Sequence, residues 1–374
     1  MAYFTRKKFG HITRMDLDVG VTEYPAFVGN NPTSMFATYV MGATTPNKVV
    51  MIADETTAEL FGIMYETAFV SAGAEVIALT VPAGEACKTW EIAGQLLEAM
   101  AAAKVDRDDI VIALGGGAVS DLAGFIAHTY MRGVRYAIIS TTLLSMVDAC
   151  VGGKAAVDLK AGKNLAGAFH QPVAVMADMR CLEQLPEIEF KSGLAEAAKT
   201  AFLDGEEFTS WCEENTAGLV ARDKTLCTDL VLRCMEFKAI VVASDPEDHG
   251  ARECLNYGHT LGHAIERVSG YGTIPHGIAI AEGIRFASRV SVQISHASIE
   301  TVMRQDALLE AFGIEPIKER WSPLEMMEAM RADKKVRNNT IRMVLMQEIG
   351  HWEVAEIADE TIYEHLRGWE ASAG

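Results

Sequence analysis

Positive charge is scarce in this chain: 33 lysines and arginines face 51 aspartates and glutamates, a formal net charge of -18 over 374 residues. A nucleic-acid partner wants a basic face, so none is expected. Long apolar runs are also missing. The longest stretch, Ile110 to Met131, is interrupted by Gly115-Gly116-Gly117 and by Asp121. It reads as strand, turn and helix rather than a membrane span. No Cys-x-x-Cys pair occurs among the seven cysteines (87, 150, 181, 212, 227, 234 and 254). Their odd number in a long chain predicts reduced thiols and a cytoplasmic protein. Met1 to Arg14 is charged and lacks an apolar core, so no signal peptide is expected there. There are no repeats and no low-complexity tracts. The Gly-x-Gly-x-x-Gly dinucleotide fingerprint and the His-Glu-x-x-His protease motif are absent too.

The chain is long enough for two domains. In the first half, apolar runs such as Val49–Ala53, Glu75–Leu79, Ile110–Leu114, Tyr136–Ile139 and Val173–Met176 alternate with helical stretches. That alternation predicts an α/β domain, residues 1–185, with a parallel sheet covered on both faces. Beyond Leu185-Pro186 helical patterns dominate, including one from Leu219 to Ala243, and predict a mainly α-helical domain over 186–374. A late pair, Ile341–Met346 and Trp352–Ala355, suits a small hairpin.

The most informative residues are His259, His263, His276 and Glu196. His259 and His263 are four apart, so a helix presents both imidazoles on one face. Imidazole and carboxylate suit a borderline divalent cation such as zinc, and three protein ligands leave a position open. Spacing alone does not separate His263 from a ligand. Glu196 and Lys199 are three apart and share a helix face; an ordinary salt bridge is the plainer reading of that pair. The Gly115-Gly116-Gly117 turn follows a strand and opens a helix, a place where backbone amides can meet a pyrophosphate. Asp54 closes a strand, where a carboxylate can accept bonds from a ribose diol, and Glu85 and Lys88 follow the next strand. Asp148 stands in an apolar neighbourhood, costly unless paired or functional. Lys154 and Lys163, beside glycines, look like point charges for a phosphorylated ligand.

Taken in order, these blocks resemble the 3-dehydroquinate synthase family of sugar-phosphate cyclases over almost the whole chain. They are Gly115 to Phe125, Tyr130 to Arg135, Thr141 to Lys154, Gly162-Lys163-Asn164, Ser192 to Lys199, Arg252 to His263, His276-Gly277 and Asp333-Lys334-Lys335. The resemblance implies an enzyme with NAD and one divalent metal, zinc or alternatively cobalt, in an interdomain cleft. It implies Glu196, His259 and His276 as ligands, and NAD near Asp54, Glu85, Lys88, Gly115, Gly116, Gly117, Asp121, Thr141, Thr142 and Asp148. Substrate positions are implied for Arg132, Lys154, Lys163, Asn164, Lys199, Lys238, Arg252, Asn256, His263 and one of Lys334 and Lys335. Among these, His263 is implied in proton transfer, with Lys199, Asp148, Lys154 and Asn164 as further catalytic candidates. Arg132 is implied to reach a neighbouring subunit, hence a homodimer. The implied reaction is cyclisation of 3-deoxy-D-arabino-heptulosonate 7-phosphate to 3-dehydroquinate with loss of phosphate, through a transient hydride transfer to NAD. Rivals are an amino-dehydroquinate synthase, a 2-deoxy-scyllo-inosose synthase or a metal-dependent polyol dehydrogenase. Lys238 and Arg252 argue against substrates without a carboxylate, since two buried cations would lack a partner.

Overall fold

The computed structural model describes residues 3–332 and 340–372. Contacts divide the chain into two units, one of Met1–Leu185 with Cys227–Glu247 and one of Pro186–Leu226 with Asp248–Gly374.

The first unit is built on an eight-stranded sheet. Its strands are β1 (Phe4–Phe9), β2 (Ile12–Asp18), β3 (Glu23–Gly29), β4 (Lys48–Asp54), β5 (Glu75–Val81), β6 (Ile110–Gly115) and β7 (Arg135–Ser140). The hairpin β8 (Lys154–Leu159) and β9 (Gly162–Phe169) stands apart, and β10 (Val175–Asp178) completes the sheet in the order β1-β2-β3-β10-β7-β6-β4-β5. β3 through β5 pair in parallel, and β6, Ile-Val-Ile-Ala-Leu-Gly, is buried along its whole length. That continuous apolar run is what two covered faces require. The segment before Lys48, uninterpretable from sequence, supplies the antiparallel β1-β2-β3 extension.

From β4 the chain passes to β5 on one side and then crosses to β6 on the other. Such a reversal opens a crevice at the carboxyl ends of the strands. Register pairs Ala53 with Leu114 and Gly115 with Ser140, so Asp54, the glycine turn and Thr141 meet at that edge.

Two expectations need correction here. The helical stretch Leu219–Ala243 is two helices, Glu206–Val220 and Lys224–Ser244, parted at Arg222, whose φ is 60°. Asp223 Oδ1 then accepts from the Thr225 and Leu226 amides and restarts the chain as a helix. From Cys227 onward this second helix groups with the first unit, not with the rest of 186–374. Lys238 donates to Asp148, Arg6 pairs Glu236, and Gly20 lies so close to Ala243 that a Cβ would meet its carbonyl at 2.7 Å.

The second unit is mainly helical, with a hairpin of β11 (Ile341–Glu348) and β12 (His351–Ile357). Three helices frame its polar centre: Glu187–Asp204, His259–Ser269 and His276–Ile294. Glycines let them close. A Cβ on Gly277 would sit 2.0 Å from the Ser192 carbonyl oxygen, and one on Gly283 only 1.8 Å from that of Gly258. Gly277 also donates its amide to Ser192 Oγ at 2.8 Å.

Candidate active site

That close packing brings together side chains 80 residues apart in sequence. His259 and His276 are each the first residue of their helices, and Glu196 faces both. Glu196 Oε1 is 3.8 Å from His259 Nε2 and 3.6 Å from His276 Nε2. Its side chain is fully buried; Oε2 meets the Lys199 ammonium at 2.5 Å, and Oε1 is turned to the two rings. Around a tetrahedral cation, ligand atoms lie about 3.3–3.5 Å apart, so this set needs little adjustment. The far nitrogens of both rings are also engaged. His259 Nδ1 is 3.1 Å from the Tyr257 carbonyl and His276 Nδ1 is 3.1 Å from Glu266 Oε2. Donation from both Nδ1 atoms leaves both Nε2 lone pairs facing Glu196. The residues therefore fit a divalent cation.

Burial disfavours a charged His276, but Glu266 and then Glu196 outweigh it and draw its pKa above the usual histidine value. Protons therefore compete with a cation at this ring. Burial pushes the nearby Cys254 thiol up to about 11, so as a free group it stays protonated near neutrality. Lys199, 1% exposed, holds its ammonium 2.5 Å from Glu196 Oε2 and donates to the Leu255 carbonyl. His263 follows one turn after His259, with ring centroids 5.1 Å apart. Arg252 is buried and Asn256 half-buried in the turn leading to His259. Neighbouring Glu253 is anchored on β11 by Arg342 at 2.8 Å. Lys334 and Lys335 lie outside the described residues.

In the first unit, Gly116 precedes the helix Gly117–Thr129, which has no side-chain cap and no acidic residue in its first turn. Its first amides are thus left for an anion. None of these three glycines has a positive φ; their need is space. A Cβ on Gly115 would meet Val119 at 2.8 Å, one on Gly116 would meet Thr142 at 3.1 Å, and one on Gly117 would meet Ala149 at 3.3 Å. This cradle fits a pyrophosphate. Around it the charged candidates hold one another. Asp54 accepts from both the amide and hydroxyl of Thr57. Lys88 lies 2.5 Å from Asp121, and Glu85 3.9 Å from Lys163. Burial lowers the Lys88 pKa, but Asp121 and Glu85 more than offset it and keep the ammonium charged. Asp148 Oδ1 accepts from Lys238 at 2.7 Å. Lys238 thus has a partner within the chain, which overturns its use as evidence for a substrate carboxylate.

Lys154 and Lys163 are separated by the hairpin. Lys154 is opposite Phe169, whereas Gly162 is opposite Leu159 at the turn. Five strand steps put their backbones ~17 Å apart. Asn164, at φ 55°, donates its amide to Asp158. Arg132 is exposed within Met131-Arg132-Gly133, where φ is 49°, 65° and 117°. Sequence reasoning passed over Glu266, although its seven-residue spacing from His259 repeats a helix face.

The family profile for 3-dehydroquinate synthase N-terminal matches residues 78–192, and that for 3-dehydroquinate synthase C-terminal matches residues 193–336. A 3-dehydroquinate synthase of Acinetobacter baumannii (strain AYE) is 40% identical over 339 residues, covering 90% of this chain and 93% of the relative. That of Desulforamulus reducens is 38% identical over 341 residues, covering 91% and 95%. Among solved structures, a 2-deoxy-scyllo-inosose synthase complexed with carbaglucose-6-phosphate, NAD+ and Co2+ superposes with a TM-score of 0.87 at 25% identity, covering 95% of this chain and 99% of that one. Two adjoining profiles and relatives similar over nine-tenths of the sequence agree: the chain belongs to the 3-dehydroquinate synthase family.

Proposed function

We propose that this protein is a 3-dehydroquinate synthase, a phosphorus-oxygen lyase of the shikimate pathway that converts 3-deoxy-D-arabino-heptulosonate 7-phosphate to 3-dehydroquinate and phosphate. The observation that carries the reading is the buried Glu196 carboxylate faced by the Nε2 atoms of His259 and His276, in a chain of this family. These three residues would hold one divalent cation, zinc or cobalt. Asp54, the glycine turn, Glu85, Lys88, Asp121, Thr141, Thr142 and Asp148 would hold NAD. When bound, the cation supplies Lewis acidity and NAD a hydride acceptor that later returns the hydride. The chain's own groups do the rest. The Lys199 ammonium, fixed by Glu196 and Leu255, stabilises negative charge as it develops. His263 moves protons beside the two ligand imidazoles. Arg252, with its planar fork, and Asn256 take the substrate carboxylate side. Lys154, Lys163 and Asn164 are assigned to the phosphate, and Lys238 acts through Asp148 as well as on substrate. One of Lys334 and Lys335 is assigned to substrate by family resemblance alone.

Arg132 supports a homodimer. Two successive non-glycine residues in the left-handed region cost about 1–2 kcal/mol each, and the exposed side chain has room to reach another subunit. A cytoplasmic location is supported by seven buried, reduced cysteines. Among the described residues no helix is long and apolar enough to cross a membrane.

The test is turnover of the heptulosonate phosphate with catalytic NAD. One phosphate should be released per substrate, with no accumulating NADH absorbance. Stoichiometric NADH would make the protein a dehydrogenase instead. Failure to turn over this substrate, with turnover of an amino analogue or a hexose phosphate, would move it to the cyclases of secondary metabolism.

A further inference from the structure

His259 and His276 face the same carboxylate but are not equally held. The His259 side chain is 11% exposed and that of His276 32%. The more open ring has the more freedom to turn away, and it is the one tied to a charged partner. Glu266 is 6% exposed and sits two turns beyond His259 on the same helix. Its Oε2 lies 3.1 Å from His276 Nδ1, while Nε2 on the other edge of the ring faces Glu196. A ring that donates Nδ1–H to a carboxylate keeps its Nε2 lone pair, the form a cation requires. The neutral Tyr257 carbonyl does the same for His259. A carboxylate adds negative charge that makes Nε2 more basic and partly balances a cation.

We propose that Glu266 is a positioning residue that fixes the tautomer and orientation of His276 as a metal ligand. The inference rests on the metal-centre reading above. There is a competing geometry: His263, Glu266 and His276 also offer ligand atoms within 4.8 Å of one another. A cation there would take the Nδ1 edge of His276 and make Glu266 itself a ligand.

The experiment measures zinc affinity by chelator competition, and the visible spectrum of the cobalt form, for wild type, Glu266→Ala, Glu266→Gln and His276→Ala. Thermal unfolding and NAD binding serve as controls. Glu266→Ala should bind zinc about 10- to 100-fold more weakly. Glu266→Gln, isosteric and still able to accept from Nδ1–H, should lose less. Its cobalt spectrum should shift while keeping the intensity of the wild-type coordination number. Unchanged zinc affinity in Glu266→Ala, with zinc lost in His276→Ala, would overturn the positioning role and leave the metal centre standing. Zinc loss in Glu266→Gln as complete as in His276→Ala would make Glu266 a ligand and overturn it as well. One zinc per chain retained by His276→Ala would overturn the metal centre and this inference with it.

Discussion

The two units both pair a buried lysine with a carboxylate, but among the described residues only the second leaves one carboxylate oxygen facing two imidazoles. In the first, the candidate residues satisfy one another: Lys88 with Asp121, Lys238 with Asp148, Asp54 with Thr57. In the second, fully buried Glu196 has the Lys199 ammonium 2.5 Å from Oε2, while its Oε1 faces the Nε2 atoms of two imidazoles at 3.6–3.8 Å. Burying a carboxylate so incompletely partnered is costly, and the cost is tolerated where a further positive charge completes the set. The first unit is therefore a preformed cradle, and the second a centre whose stability should depend on its cation.

Glycine substitutions should break that comparison most strongly. Gly277→Ala puts a Cβ 2.0 Å from backbone oxygen, which cannot yield as a flexible side chain can. Loss of about 1–3 kcal/mol of stability is expected, with loss of bound metal, read by thermal melts and metal analysis. Gly116→Ala meets Thr142 at 3.1 Å and should chiefly weaken NAD binding, read by titration, with metal content unchanged. Equal effects of both variants on metal would erase the distinction between the units.

A similar loss of stability, but no loss of metal, is expected from Lys88→Met. Removing this ammonium leaves Asp121 without its ion-pair partner and should cost about 1–3 kcal/mol, measured by denaturant unfolding, while zinc affinity stays at the wild-type value. Zinc loss in this variant would show that the two sites are energetically coupled.

The smallest effect concerns pH. Burial lowers the pKa of His170, which stacks on Tyr136 at 5.2 Å with its Nε2 beside the Val134 carbonyl. The native state thus binds this proton less readily than the unfolded chain. Its contribution is intact above the ordinary value of about 6.5 and is lost as pH falls from there through the depressed native value. His170→Phe keeps an aromatic ring and should flatten the fall in melting temperature over that window. An unchanged slope would assign the acid sensitivity elsewhere.

Much of this was legible in order along the chain. Continuous Val/Ile runs announced a parallel sheet, because a strand buried on both faces has no polar side to show. His259 and His263 shared a face by helix periodicity alone. Glu196, three residues from Lys199, read first as a salt bridge (the two do pair) and as a ligand only through the family resemblance. The β1-β2-β3 extension was not read from the sequence: β1 is almost wholly exposed, β2 alternates but is mostly polar, and β3 carries a proline, so they take meaning only from pairing with one another. Nor was the hairpin that parts Lys154 from Lys163, because its glycines read equally well as a loop. The sequence by itself determined which groups can bind a cation or an anion, since donor chemistry belongs to the residue. Only the tertiary structure decided that Lys238 answers Asp148, that Glu266 holds His276, and that Cys227–Glu247 joins the first unit. Those pairings span up to 90 residues, and distance in space at that separation follows from packing, which no local pattern records.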